Sequence, residues 1–369
     1  MIGPSKADIG LLHEHVACRE KGRVNLRAIV GLTAAFMIGT APSAFAASPA
    51  DIYLASDFKL ARPAPDGGTP EALAMLPDLS LRSMESDAAP APYNPASYDI
   101  GDPAVDKPRP DPAQFRGFGR QLGAIKWEMV GVLGYYTAIN GRKLFHDPEA
   151  PHFHREGWFG KSTKNLGVDK LAHAYSAYVI SDLLYARLKY KTGNAPGIAA
   201  TAAILGSAMM LYTELWDSIE PDAGWSWEDV AMNSMGAGFS LLRNSVPGLD
   251  RKLDFRLMIV PNSDVFTASG KRHFEQQHYF FALKLAGFEA FEQGPLRLLE
   301  LHAGYYGKDF TLQERAMGVE PKRRLFVGVG INLRELFFKN ARSRVGRAVG
   351  EVLDYYQPPY TALHRHVTN

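Results

Sequence analysis

From Gly197 to Thr213 the chain carries no charge and draws heavily on Ala, Gly and Ser; only then do Glu214 and Asp217 appear. A stretch of this kind predicts a helix packed against close neighbours, because small side chains let helix backbones approach. Its length alone would let it cross a bilayer. The helical segments before it carry Lys126, Glu128, Asp169, Lys170, Asp182 and Arg187, which argues against a simple spanning bundle. A soluble bundle and a partly membrane-embedded one both fit.

Three further helices are expected around it. The first covers Phe118 to Asn140, closed by Asn140-Gly141, and the second Val168 to Lys191, before Gly193. The fourth starts at Ser226 and ends before Pro247, and Ser226 to Asp229 has the spacing of a capping box. After Pro247 the pattern changes to short apolar runs punctuated by glycine: Phe255 to Val260, Tyr279 to Leu285, Leu298 to Tyr306 and Leu325 to Leu333. A last helix is expected over Leu333 to Leu353. The fold class is therefore α+β: an N-terminal bundle of about four helices over 114–247, then a small antiparallel sheet and a C-terminal helix over 248–369.

Polar residues recur at helical spacing. Asp169 and His173 are four apart and share a face that continues through Ala177, Ile180 and Leu184. Glu214 and Asp217 are three apart, and Asp229 and Asn233 four apart. Three helices thus each bring a polar pair to ends that can converge, with Lys170 and Ser226 beside them. One chemistry for such a set is a divalent metal held by Asp169, His173, Glu214, Asp217 and Asp229. Another is general-base catalysis by His173 oriented by Asp169, suited to hydrolysis of lipid or cell-wall precursor headgroups at a membrane surface. A buried network that only fixes helix packing accounts for the same residues. In that case Asp229 is a capping carboxylate, Asp169 caps the second helix and Glu214 pairs with Lys170. Lesser candidates are a loop group of Glu149, His152 and His154, a frayed tail with His364 and His366, and the aromatic set Trp216, Trp225 and Trp227.

The N-terminus sets the compartment. Lys21, Arg23 and Arg27 precede an apolar run, Ala28 to Thr40, that ends in Ala44-Phe45-Ala46. This is the pattern of a secretory signal peptide cleaved before Ala47, within a leader over 1–46. The single cysteine, Cys18, leaves with it, which fits the periplasm. The segment 47–113 contains a Pro-, Ala-, Asp- and Ser-rich stretch from about Arg62 to Pro112, a flexible linker by composition. A formal net charge of +2 with no basic stripe excludes nucleic acid as a partner and leaves membrane lipid or envelope components.

The stretches Gly167 to His173, Glu214 to Asp217 and Gly224 to Gly236 resemble the YfiM-like family of predicted periplasmic lipoproteins of unknown function. The resemblance extends into Tyr279–Leu283, Leu299–Tyr305 and Arg324–Asn332. The helical part is also similar to VanZ-like membrane proteins. The family name implies an acyl-accepting cysteine after the signal peptide, which this chain does not supply. The resemblance implies an envelope protein, membrane-associated and without an assigned activity. A third reading has the C-terminal strands inserting into the outer membrane with partner chains, since they are too few to close a barrel.

Overall fold

The computed structural model describes residues 110–261 and 274–368. The leader, the signal peptide and nearly all of the Pro/Ala-rich segment lie outside the described residues.

The first expected helix is two, α1 (Phe118–Ala124) and α2 (Lys126–Asn140). They break at Ile125, whose side chain is fully buried and whose amide reaches back three residues to Leu122. Gly119 and Gly123 weaken the short first piece. Its buried Gln121 donates to the carbonyls of Phe115 and Pro196 at 3.0 and 2.8 Å, so α1 is tied to the turn that starts the charge-free helix. At Asn140-Gly141 the chain tightens into a 3-10 turn, Gly141–Phe145, instead of stopping.

The bundle proper is α3 (Val168–Thr192), α4 (Ile198–Asp217) and α5 (Trp227–Ser245). Small residues set its spacing. A Cβ on Gly206 of α4 would lie 2.0 Å from Ser181 Oγ on α3, and one on Gly236 of α5 would lie 1.8 Å from the Ala174 carbonyl oxygen. Among the described residues α4 is the one helix long and apolar enough to cross a membrane, and two thirds of it is buried. It is the core helix of the bundle, lying against both α3 and α5.

The sheet is a five-stranded antiparallel meander in sequence order: β1 (Leu253–Ile259), β2 (Gln277–Lys284), β3 (Leu299–Lys308), β4 (Lys322–Ile331) and β5 (Ala362–His366). A short helix α6 (Leu312–Ala316) joins β3 to β4. The expected last helix is a π-turn, Arg334–Phe338, followed by α7 (Arg344–Val352). The tail expected to fray is the fifth strand: Phe326 pairs with His366 and Gly328 with His364. Its signal is weak because β5 is only five residues long and alternates Leu363 with polar His364, Arg365 and His366, and only neighbouring β4 gives it a ladder.

Helices and sheet meet through aromatics and ions. Tyr175 and Tyr178 of α3 pack on Phe255 of β1, and Tyr305 of β3 donates to the Leu166 carbonyl at 2.5 Å. Arg243 of α5 contacts Asp182 of α3 and Asp254 of β1, each at 2.9 Å. Asp254 also holds Lys284 and Arg256 at 2.8 Å, and Arg256 holds Glu300 at 2.6 Å. All six charged groups are buried. The protein is thus α+β, as expected, with a charged seam between its halves.

Candidate functional site

The N-termini of α3 and α5 and the C-terminus of α4 converge, and the segment before α3 closes over them. Val168 to His173 enters the helix behind Gly167, which adopts φ 80°; a Cβ there would lie 2.4 Å from the Phe159 ring. Asp169 therefore does not cap α3, since Gly167 holds that place. Ser226 caps α5 by accepting from the Asp229 amide at 3.2 Å. The other half of the expected capping box does not form, because the Asp229 carboxylate turns inward to Lys170 at 2.9 Å.

Lys170 is 1% exposed and is the hub. Its ammonium group lies 2.5 Å from Glu156, 2.9 Å from Asp229 and 3.1 Å from Asp169. One helical turn on, His173 Nδ1 lies 3.4 Å from Glu214 Oε1 and 3.3 Å from Asn233 Oδ1, and its Nε2 lies 3.5 Å from Asp229 Oδ1. Asn233 donates to Glu214 at 3.4 Å. Glu214 thus pairs with His173 rather than with Lys170. Asp217 does not join this group; it pairs with Lys143 from the 3-10 turn after α2, which also binds Glu220.

Glu156 carries no helical spacing that marks it in the sequence. It is placed by a loop whose backbone is stitched to the bundle: the Glu149 amide donates to the Ile219 carbonyl and the His152 amide to that of Ser218, while Trp225, bridged in parallel to Phe153, accepts from the His154 amide and donates to the His152 carbonyl. The loop group Glu149, His152 and His154 serves this anchoring. His152 lies 3.2 Å from the Ala223 carbonyl. Of the aromatic set, Trp216 is buried in the bundle core, whereas Trp227 is exposed and stacks on exposed Phe153.

Four carboxylates, Glu156, Asp169, Glu214 and Asp229, face only two cationic groups, Lys170 and His173. Burial pushes the Glu214 carboxyl up to about 8, with Asp229 and Asp217 adding to the effect and His173 opposing it. Burial also raises Asp169, against the pull of Lys170. For His173 burial works the other way and is outweighed: Asp229 and Glu214 hold the imidazolium up to about 9. That electrostatic setting favours the protonated form of His173.

Two ligand sets emerge, each able to bring three donor atoms within 4.8 Å of one another: His173, Glu214 and Asp229, and Glu156, Asp169 and Asp229. Residues 155–245 match the model of a family described as predicted periplasmic lipoprotein (DUF2279). Over that stretch the chain is similar to the family. All of the converging residues, Glu156 to Asn233, fall inside the DUF2279 segment, in line with the YfiM-like resemblance; α1, α2 and the sheet lie beyond it. No curated protein and no solved structure matches the chain.

A second constellation lies on the sheet. His278, His302, His364 and His366 share one face by strand register. Glu300 Oε1, held by Arg256, lies 3.2 Å from His302 Nε2, and His302 Nδ1 lies 3.0 Å from His364 Nε2. Only the pairing of β5 reveals it.

Proposed function

We propose that this is a periplasmic envelope protein, exported by cleavage before Ala47, whose DUF2279 segment binds a divalent cation between α3, α4 and α5. His173, Glu214 and Asp229 are the ligands, and Glu156 and Asp169 sit beside them across Lys170. The observation that carries the reading is the surplus of buried carboxylates over buried cations. A buried charge costs several kcal/mol unless it is paired, protonated or bound to metal. One nitrogen with two carboxylate oxygens suits zinc or manganese better than the all-oxygen shell of calcium or magnesium. The cluster also fixes how the helix ends meet, and both roles use the same residues.

The test is metal analysis of the protein purified from an envelope fraction, its N-terminus identified by mass, followed by calorimetric titration with zinc and with manganese. The expected result is about one equivalent bound. Affinity should rise with pH, because ligation must displace the protons on His173 and Glu214. Glu214→Gln and Asp229→Asn should stay folded and lose binding at least tenfold. A protein that retains no cation, and is not stabilised by either, would reduce the cluster to a packing device.

A further inference from the structure

The sheet beyond the helices is built the wrong way round for water. On one face, by register, lie Asp254, Arg256, Lys284, Glu300 and His302, each 5% exposed or less. On the other face β3, β4 and β5 present Leu301, Leu325, Val327, Val329, Ile331 and Leu363, exposed between 41% and 84%. A sheet with one face in water ordinarily turns its polar residues outward. Charged-in and apolar-out is the alternation of strands that face lipid. The helices and the segment before α3 cover this face over β1, β2 and the Tyr305–Gly307 end of β3: Phe239 of α5 packs on Phe281 at 5.3 Å, and Tyr305 meets Phe159 and the Leu166 carbonyl.

We propose that the exposed face of β3–β5 docks on the surface of a lipid membrane. Two features select lipid over another occupant. The only charges that β3, β4 and β5 place on this face are Arg323, opposite Gly307, whose guanidinium also donates to the Phe159 carbonyl at 2.7 Å, and Arg365, opposite Val327; both are exposed, and these strands place no carboxylate on the face. Long basic side chains beside an aliphatic surface reach the phosphates of anionic lipids while the aliphatic groups enter the acyl boundary. The family that covers the bundle is, moreover, one described as lipoproteins, proteins held beside a membrane. The sheet lies against one leaflet and does not cross it: β5 ends the strand order, and an unpaired sheet edge is not tolerated in the hydrocarbon. The inference is independent of the cation site, which lies on the bundle.

Flotation of the full chain with vesicles of phosphatidylethanolamine and phosphatidylglycerol tests it, with phosphatidylcholine vesicles as the neutral arm. The protein should float with the anionic vesicles. The double variant Val327→Asp with Val329→Asp should lose about tenfold of the bound fraction while its circular dichroism spectrum stays that of the folded wild type, both side chains being about half exposed. Arg323→Gln with Arg365→Gln should weaken binding to the anionic vesicles only, and salt should weaken the wild type in the same way. Failure of the wild type to float, or equal flotation of both variants, overturns the proposal. So does a dimer in light scattering that the Asp variant dissociates, which assigns the face to a second copy. Slow trypsin cutting within residues 47–109 that becomes fast in the Asp variant overturns it too, in favour of the chain's own N-terminal segment.

Discussion

Lys170 shows what a single buried charge does here. It is flanked by three carboxylates from α3, α5 and the loop before α3, so its removal strands like charges in a site with little water. Lys170→Met is expected to cost about 3–5 kcal/mol, the range for breaking a buried ion pair from one side, read as a lower urea midpoint. A variant within about 1 kcal/mol of wild type would mean that the carboxylates take up protons in its place. Asp169, His173, Glu214, Asp229 and Asn233 were legible in the sequence because helical phase fixes which side chains share a face. Glu156 and the partner of Asp217 were not. Both depend on turns whose position is set by hydrogen bonds to distant backbone, which no local spacing encodes.

At the scale of elements, the small residues of α4 and α5 announce close helix packing, and the crossings at Gly206 and Gly236 realise it. The sheet is harder to read, since an exposed valine and a buried one look alike in sequence. Its histidine face yields a pH prediction. Burial pushes His278 down to about 3 and His364 down to about 4, with neighbouring histidines adding to both shifts. Each is depressed below the 6.5 of an unstructured histidine, so the unfolded chain binds more protons between those values. Their contribution is therefore full above pH 6.5 and is lost as pH falls toward 4 and then 3. His278→Gln with His364→Gln should flatten the acid limb of the melting curve, retaining several degrees that the wild type loses between pH 6.5 and 4. Identical acid limbs would show that these imidazoles do not govern acid stability.

For the whole molecule, the question is whether bundle and sheet unfold together. All five tryptophans, Trp127, Trp158, Trp216, Trp225 and Trp227, precede the sheet in the chain, so their fluorescence reports the helical half alone. Far-ultraviolet circular dichroism reports both halves. The two urea curves should coincide in the wild type, because Arg243 joins α5 to α3 and β1 through buried carboxylates. Arg243→Met should lower stability by about 3–5 kcal/mol and separate the two curves. Curves that already differ in the wild type would show that the seam does not couple the halves.

The sequence by itself determined the extents of the three bundle helices between Val168 and Ser245, the α+β class and most of the polar groups that converge. These are local: periodicity, caps and charge patterns are written in neighbouring residues. Only the tertiary structure decided that α4 is a core helix, that Asp229 faces Lys170 and that the tail completes the sheet. It alone decided which face of that sheet is buried. Alternation along a strand names two faces, but the elements packed against them decide which one meets the interior.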